Sequence, residues 1–433
     1  MSPATPTSVT RSASRLTSLD GLRGIAALIV LAHHASLLTP AISSAYISSP
    51  GMSGPVAGSI GWWFTYTPLK IFTAGPEAVV VFFVLSGFVL SLPVLGPRAF
   101  DWMSYYPRRI ARIGVPVIGS LLFATALAWL VPQLPQHAMS SWVSTTSVLR
   151  PGVWDVVHSL DPSLGSWFIN NPLWSIYWEM AFSLLLPVFV GLAVLLRRWW
   201  PLLIALVVAI VLCGFYANAP AFRYLPGFFL GVVAATQLER IQRVGAALAA
   251  RRWGWLVWLV VALGSAVLLV AHWMTTSSNL AVLLEALQPV AALGLLLCCL
   301  EWRLLARVLS HQPFRWLGTI SFSLYLVHVP IIVTFSYLFG SWGPTRVAAL
   351  AVPTALVAGS LFYLVVEKPA HRLSKSVGRT VGGAFASRTE PVGPRRAGAT
   401  DAGAEATDAG AAAGSRSGSG SGSEQELAAS VRD

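Results

Sequence analysis

An arginine and a histidine lie on one face of an apolar segment near the start of the chain. In "LDGLRGIAALIVLAHHASLL", residues 19–38, Arg23 and His34 are eleven positions apart. On an α-helix, this spacing places the two side chains within about 20° of one face and roughly 16 Å apart along the axis. Ionisable groups inside a membrane usually face a protein interior or a cavity, so we interpret the pair as functional. In the structural alternative, Arg23 reaches the headgroups and His34 makes an interhelical hydrogen bond.

A carboxylate lies in a second apolar segment. Glu179 belongs to "NPLWSIYWEMAFSLLLP", and inserting a charge there costs roughly 2.5–3.5 kcal/mol. A carboxylate can hold the tautomer and orientation of an imidazole that acts as a base. We therefore expect Glu179 to lie at a depth similar to that of His34 and to pair with it. The alternative is a structural glutamate bonded to a Trp or Ser of a neighbouring helix.

Two further segments carry candidate groups. In "AGPEAVVVFFVLSGFVLS", residues 74–91, Ser86 and Gly87 are expected near mid-membrane as small packing residues. Glu77, at the outer end of this segment, is either an interfacial charge or a group that contacts a substrate. In "YYPRRIARIGVP", Arg109 and Arg112 share a helical face. This pair either orients the protein in the membrane or binds phosphate groups, for which the planar guanidinium is well suited.

The composition is that of an integral membrane protein. The 433 residues are 55% hydrophobic and 11% charged, and the mean hydropathy is +0.68, outside the range of soluble globular domains. A span needs roughly 20 apolar residues. The sequence predicts ten such spans, at 21–38, 76–95, 113–131, 173–195, 201–217, 224–238, 253–272, 280–300, 316–338 and 346–366.

Charge placement predicts the orientation. With the N-terminus in the cytoplasm, nineteen Lys and Arg side chains up to residue 379 fall on cytoplasmic loops and four fall outside, at Lys70, Arg150, Arg223 and Arg346. Positive charge accumulates on the cytoplasmic side, so both termini are expected there. The formal charge of +12 is spread over alternating loops, and nucleic-acid binding is not expected.

Composition along the chain predicts three segments. We expect a cytoplasmic N-terminal segment over 1–18, a transmembrane domain over 19–373 and a disordered cytoplasmic tail over 374–433. The three cysteines lie in apolar spans without CxxC spacing, and neither a disulfide framework nor a metal site is predicted. Two long outer loops, 39–75 and 132–172, are candidates for acceptor selectivity through their tryptophans: Trp62, Trp63, Trp142, Trp154 and Trp167.

Together these segments resemble the membrane-bound acyltransferase 3 family of bacterial O-acyltransferases. The resemblance rests on seven motifs in family order, over residues 17 to 373: "LDGLRGIAALIVLAHH", "VVVFFVLSGFVLS", "RRIARIGVP", "PLWSIYWEMAF", "RYLPGFFLGVVAA", "LGTISFSLYLVHVPII" and "VEKPAH". It implies an all-α fold of ten transmembrane helices in the bacterial plasma membrane. It also implies transfer of an acyl group, commonly acetyl from acyl-CoA, to a hydroxyl of a glycan, a lipid-linked sugar or a natural product such as a macrolide.

The resemblance assigns roles residue by residue. The arginine–histidine motif of the family falls on Arg23 and His34, its arginine-rich motif on Arg109 and Arg112, and its tryptophan–serine–glutamate pattern on Trp174, Ser175 and Glu179. We expect His34 and Glu179 to be catalytic, the three arginines to bind the phosphates of acyl-CoA, and no permanently bound cofactor. Glu77, Ser86, Trp174 and Ser175 are expected to contact substrate. The competing hypothesis is a transporter or flippase that moves an acylated or glycosylated substrate without chemistry.

Overall fold

The computed structural model describes residues 7–47, 54–160 and 169–389. Its regular elements within these ranges are helical, and none of the described residues forms a strand, as an all-α membrane protein requires. The α-helices are α1 (Thr7–Ser36), α2 (Pro40–Ile47), α3 (Ile60–Tyr66), α4 (Gly75–Ser91), α5 (Trp102–Leu130), α6 (Ser141–Thr146), α7 (Val153–His158), α8 (Leu173–Leu195), α9 (Trp200–Tyr216), α10 (Pro220–Thr236), α11 (Leu238–Ala249), α12 (Gly254–Val270), α13 (Ser278–Ala286), α14 (Gln288–Glu301), α15 (Arg303–Leu309), α16 (Gln312–Leu338), α17 (Pro344–Phe362) and α18 (Lys368–Thr389).

The predicted polytopic membrane fold is confirmed. Among the described residues, seven helical segments are long and apolar enough to cross a membrane, and an eighth is added if the bent pair Thr17–Ser36 and Pro40–Ile47 forms one span. α4 is apolar but shorter. Each of the ten predicted runs overlaps a helix, with α13 and α14 sharing one run. The total of ten spans and the orientation stay predictions.

The helices extend beyond the predicted domain boundaries. α18 runs from Lys368 to Thr389, so the predicted start of a disordered tail at residue 374 is wrong. α18 packs along α5, where a Cβ on Gly378 would lie 3.1 Å from the Ser104 carbonyl oxygen. The packing against α5 explains why a polar sequence remains helical there.

α1 and α16 form a close parallel pair in the interior. A Cβ on Gly24 would lie 2.6 Å from the backbone nitrogen of Gly318, and one on Gly318 would lie 2.2 Å from the carbonyl oxygen of Asp20. Only glycine permits this approach of two backbones. The offset of 294 residues between Gly24 and Gly318 recurs at His34 and His328. The two helices therefore run in the same direction and keep one register.

α4 and α10 cross at a second glycine contact. A Cβ on Gly87 would lie 1.9 Å from the carbonyl oxygen of Phe228, and one on Gly231 would lie 2.0 Å from that of Val84. The expected role of Gly87 in close packing is confirmed. The crossing fixes the face of α4 on which Ser86 lies.

The segment before α8 reaches into the bundle. Asn170 is fully buried; its side-chain amide donates to the carbonyl oxygen of Leu326 at 2.8 Å and lies 3.3 Å from the hydroxyl of Ser120. These partners belong to the middle parts of α16 and α5. α8 therefore starts inside the bundle, level with the middle of α16, which sets the depth of every residue on it.

The α4–α10 crossing generates a stability prediction. Gly231→Ala places a methyl group against the Val84 carbonyl, and we expect it to destabilise the protein by about 1–3 kcal/mol because the backbones must separate. Thermal unfolding of the purified protein measures the effect. Gly191→Ala is the matched control, because nothing lies within 4 Å of a Cβ at that helical position. Equal unfolding temperatures for the two variants would contradict the close crossing.

Candidate functional site

Four of the predicted site residues line one cleft in the bundle. Arg23 from α1, Ser86 from α4, and Ser175 and Glu179 from α8 face one cleft that is open on one side. Tyr325 and Ser321 from α16 complete its polar lining, and the apolar wall consists of Val79, Phe82, Phe83, Ile176 and Phe322. A cleft with a long apolar wall and few polar groups is typical of a small-molecule site.

Glu179 is paired with an arginine and not with a histidine. The Arg109 guanidinium donates to Glu179 Oε1 at 2.6 Å through Nη2, and its Nε donates to the Ser183 hydroxyl at 3.0 Å. Ser183 in turn donates to the carbonyl oxygen of Glu179 at 2.7 Å. The predicted pairing of Glu179 with His34 is therefore wrong.

The depth of α8 is the reason. Because Asn170 is anchored at Leu326, two positions before His328, the start of α8 lies near the level of the histidines. α8 begins at Leu173, and six further residues of helix carry Glu179 roughly 9 Å deeper into the bundle. It meets the first part of α5, where Arg109 lies.

Arg23 and Arg112 have no such partner. Both are partly exposed, and neither makes a hydrogen bond or a close ion pair with any residue that the structure describes. Glu367 lies within electrostatic range of both arginines, and Asp20 lies within range of Arg23 and Arg315. With Arg109 and Glu179 included, four arginines share three carboxylates, and the excess positive charge lies beside the cleft.

Glu367 is a group that sequence reasoning missed. It ends a π-helical turn, Tyr363–Glu367, a distortion often found at functional sites. Its carboxylate accepts a hydrogen bond from Ser323 and lies 3.4 Å from Nε2 of His371. The "VEKPAH" motif contained it, but a charge near a helix end is usually interfacial, and only the packing of α17 against α16 showed it to be buried.

His34 contacts a second histidine. Nε2 of His328 lies 3.0 Å from Nδ1 of His34, and Nδ1 of His328 lies 3.0 Å from the carbonyl oxygen of Leu324. A carbonyl only accepts, so His328 carries its proton on Nδ1 and accepts on Nε2. His34 then donates from Nδ1 to His328 and to the Val30 carbonyl oxygen, which also lies at 3.0 Å.

This network assigns the free nitrogen of His34. With the proton on Nδ1, Nε2 carries a lone pair, and it has no hydrogen-bond partner among the described residues. His34 is partly exposed, whereas His328 is completely buried. The arrangement makes His34 an available base whose orientation is held by His328, the role first expected of Glu179.

A chain of contacts joins the cleft to the histidines. The hydroxyls of Ser175 and Tyr325 lie 2.6 Å apart, and the Tyr325 ring lies 5.7 Å from that of His328 between centroids. His34 itself does not line the cleft. It lies beyond Tyr325 and His328, and its other side contacts the Trp142 ring of α6 at 5.3 Å.

Two expected substrate residues lie elsewhere. Trp174 packs with Tyr224 at 5.1 Å and with Phe83 at 6.4 Å between ring centroids, and it does not line the cleft. Glu77 is 1% exposed and belongs to a separate polar cluster described below. Trp167 lies outside the described residues. Within the described ranges, no three His, Cys, Asp or Glu side chains form a metal-binding group.

Comparison with known proteins identifies the family. The profile of the family described as "Acyltransferase domain" (Acyl_transf_3) matches residues 16–366. The chain belongs to the acyltransferase 3 family. The predicted enzyme class, an acyltransferase, is confirmed. The family match favours it over the alternative of a transporter.

Two named relatives are similar over most of the chain. "Acyltransferase MdmB" of Streptomyces mycarofaciens is 29% identical over 386 residues, which cover 83% of this chain and 92% of the relative. "Putative peptidoglycan O-acetyltransferase YrhL" of Bacillus subtilis (strain 168) is 27% identical over 355 residues, which cover 74% of this chain. The chain spans about half the length of the latter, 54%. No solved structure matches the chain.

The Arg109–Glu179 pair generates a prediction. Arg109→Met leaves the Glu179 carboxylate without its partner, and we expect a loss of about 3 kcal/mol of stability. Adding Glu179→Met should restore most of it, because the unpaired charge is removed as well. Thermal unfolding of single and double variants measures the effect, with Arg98→Met, at an exposed position, as control. A double variant no more stable than Arg109→Met would contradict the pairing.

Proposed function

We propose that this acyltransferase moves an acyl group, commonly acetyl, from acyl-CoA to a hydroxyl of a glycan, lipid-linked sugar or natural product at the bacterial plasma membrane. The observation that carries the proposal is the cleft, which has an unpaired arginine at one end and leads towards a histidine with a free lone pair at the other. The printed name of the B. subtilis relative, an O-acetyltransferase, supports a hydroxyl acceptor.

The charge of the site supports a polyanionic donor. Arg23 and Arg112 make no hydrogen bond with any described residue, so each guanidinium can offer several N–H donors to phosphate oxygens. An arginine buried beside other cations is costly, and bound phosphates would remove that cost. Arg109 is already occupied by Glu179, so its role in the proposal is to hold α5 and α8 together and to add to the positive field.

The distance from Arg23 to His34 along α1 suits the donor's flexible arm. Arg23 and His34 lie roughly 16 Å apart along α1. With the CoA phosphates at Arg23 and Arg112, the pantetheine arm would follow the apolar wall past Ser86 and reach the level of Ser175 and Tyr325. The thioester would then lie next to the histidine pair, with the arm itself spanning the membrane interior.

The proposed chemistry is general-base catalysis. His34 Nε2 takes the proton of the acceptor hydroxyl as the oxygen attacks the thioester carbonyl. The carbon–sulfur bond breaks, and the CoA thiolate takes the proton from the His34 imidazolium. Nε2 of His328 accepts a hydrogen bond from Nδ1–H of His34 throughout. This hydrogen bond keeps the reactive tautomer and stabilises the charged ring.

Substitution of the two histidines tests the proposal. With acetyl-CoA and methyl β-glucoside as acceptor, His34→Ala should lower kcat by about 10²–10⁴-fold, the usual contribution of a general base. His328→Phe should also lower kcat and leave the KM for acetyl-CoA unchanged, because it releases the His34 ring without touching the donor. Release of free CoA by the purified protein measures both.

His137→Ala is the matched control, since His137 is exposed in a short outer helix. We expect wild-type turnover from it. Near-normal kcat in a folded His34→Ala variant would exclude His34 as the base. A His328→Phe variant altered only in KM would exclude the positioning role of His328.

A further inference from the structure

A second polar cluster lies outside the cleft, where α1 ends and α4 begins. The Trp273 indole donates to Glu77 Oε1 at 2.8 Å, and Nε2 of His272 lies 3.3 Å from the same oxygen. The ammonium of Lys70 lies over the Trp273 ring, 4.4 Å from its centroid. His33, which precedes His34, completes the group through its electrostatic contact with Lys70. We call these five residues the outer cluster.

The outer cluster contains buried charges. Lys70 and Glu77 are each 1% exposed, although charged side chains are almost never fully buried without partners. Burial lowers the pKa of Lys70, and the nearby Glu77 carboxylate opposes that shift. The fold alone does not require either charge, since apolar residues of similar volume pack as well.

Two buried acceptors in the outer cluster have no donor. The Nδ1 of His33 lies 3.0 Å from the carbonyl oxygen of Thr73 and must donate to it, so Nε2 carries a lone pair. Neither this Nε2 nor Oε2 of Glu77 has a hydrogen-bond partner among the described residues. An unmet buried polar atom costs about 1–3 kcal/mol. A ligand that supplies hydrogen-bond donors would satisfy both.

The formal charges of this region are balanced. Glu285 lies 3.8 Å from Nε2 of His272 and within electrostatic range of Arg223. Lys70 and Arg223 therefore face Glu77 and Glu285, two cations against two carboxylates. The region beside the cleft, in contrast, has more arginines than carboxylates. Balanced charge with unmet acceptors favours a neutral molecule rich in hydroxyl groups over a phosphate or a carboxylate.

Aromatic rings make the outer face of the cluster. The Tyr46 ring is parallel to that of Trp273 within 17°, with centroids 6.5 Å apart, and it lies 4.8 Å from the His33 ring. Tyr46 is 37% exposed, so this side opens to the surroundings. Such rings can pack against the apolar face of a sugar while polar groups bind its hydroxyls.

We propose that the outer cluster is the acceptor subsite and takes a neutral, hydroxyl-rich ring such as an uncharged sugar. Two of its hydroxyls donate to Glu77 Oε2 and His33 Nε2, and its ring packs on the exposed side of Tyr46, which Trp273 supports from within. The rings of His33 and His34 lie 5.0 Å apart, so a molecule held here presents another hydroxyl to the base. The assignment rests on the proposed function, which supplies the role of His34.

Ligand-observed NMR on the purified chain in lipid nanodiscs tests the subsite without glycosidic detergent. The probes are methyl β-glucoside, glucuronate and glucosamine, which match in size and differ in charge. We expect saturation transfer to the neutral probe to exceed transfer to either charged one severalfold. Glu77→Gln, which replaces the open acceptor by a donor of the same shape, and Trp273→Leu should each abolish it. Glu239→Gln and Trp255→Leu, at exposed positions, are the matched controls and should retain it.

The thermal unfolding temperature is measured on every variant with and without acetyl-CoA. The value without acetyl-CoA reports folding, and its increase with acetyl-CoA reports donor binding. Three results would overturn the subsite. They are equal saturation transfer to the neutral probe in wild type and Glu77→Gln, stronger saturation transfer to a charged probe, and no saturation transfer in a wild type that acetyl-CoA stabilises. If saturation transfer to the neutral probe is lost in the two cluster variants and kept in the controls, but acetyl-CoA gives no thermal stabilisation, the subsite is supported and the proposed donor site is contradicted.

Discussion

The close contact between the α1 and α16 backbones sets the geometry of the whole site. Gly24 and Gly318 let the two helices approach until no Cβ fits between them, and the parallel register established there continues ten residues further to His34 and His328. The hydrogen bond between the two rings is therefore a consequence of backbone packing one and a half nanometres away. Each histidine also lies against the carbonyl oxygen four residues earlier in its own helix, and the contact between the rings adds a second constraint on the orientation of the free Nε2 lone pair of His34.

The second constraint is the distribution of charge along the bundle. At one end Arg109 is neutralised by Glu179, while Arg23 and Arg112 are left without close partners, which in a membrane protein is stable only beside water or an anion. At the other end cations and carboxylates balance around Glu77. The two ends thus differ in charge, and His34 lies between them. This separation is what a transferase needs if a polyanionic donor and a neutral acceptor are to meet without competing for one site.

The sequence predicted those features that depend on one helix at a time. Arg23 and His34 share a face because helix geometry is local, and Ser86 and Glu179 were found because polar groups stand out in apolar spans. Ser175 came from the family resemblance. The partner of Glu179 could not be predicted, because it depends on Asn170 drawing the start of α8 into the bundle. His328 resembled an ordinary buried histidine in an apolar helix until α16 was placed beside α1. Glu367 and the outer cluster likewise depend on contacts between residues far apart in the chain.

The central claim is that one donor molecule joins the arginines to the histidine pair. A structure of the protein with a non-hydrolysable thioether analogue of acetyl-CoA tests it most directly. The account predicts phosphate oxygens within hydrogen-bond distance of Arg23 and Arg112, the pantetheine arm in the cleft past Ser86, and the acyl carbon next to the His34 ring. An analogue bound with its phosphates away from these arginines, or with its acyl carbon left at the level of Arg23, would contradict it.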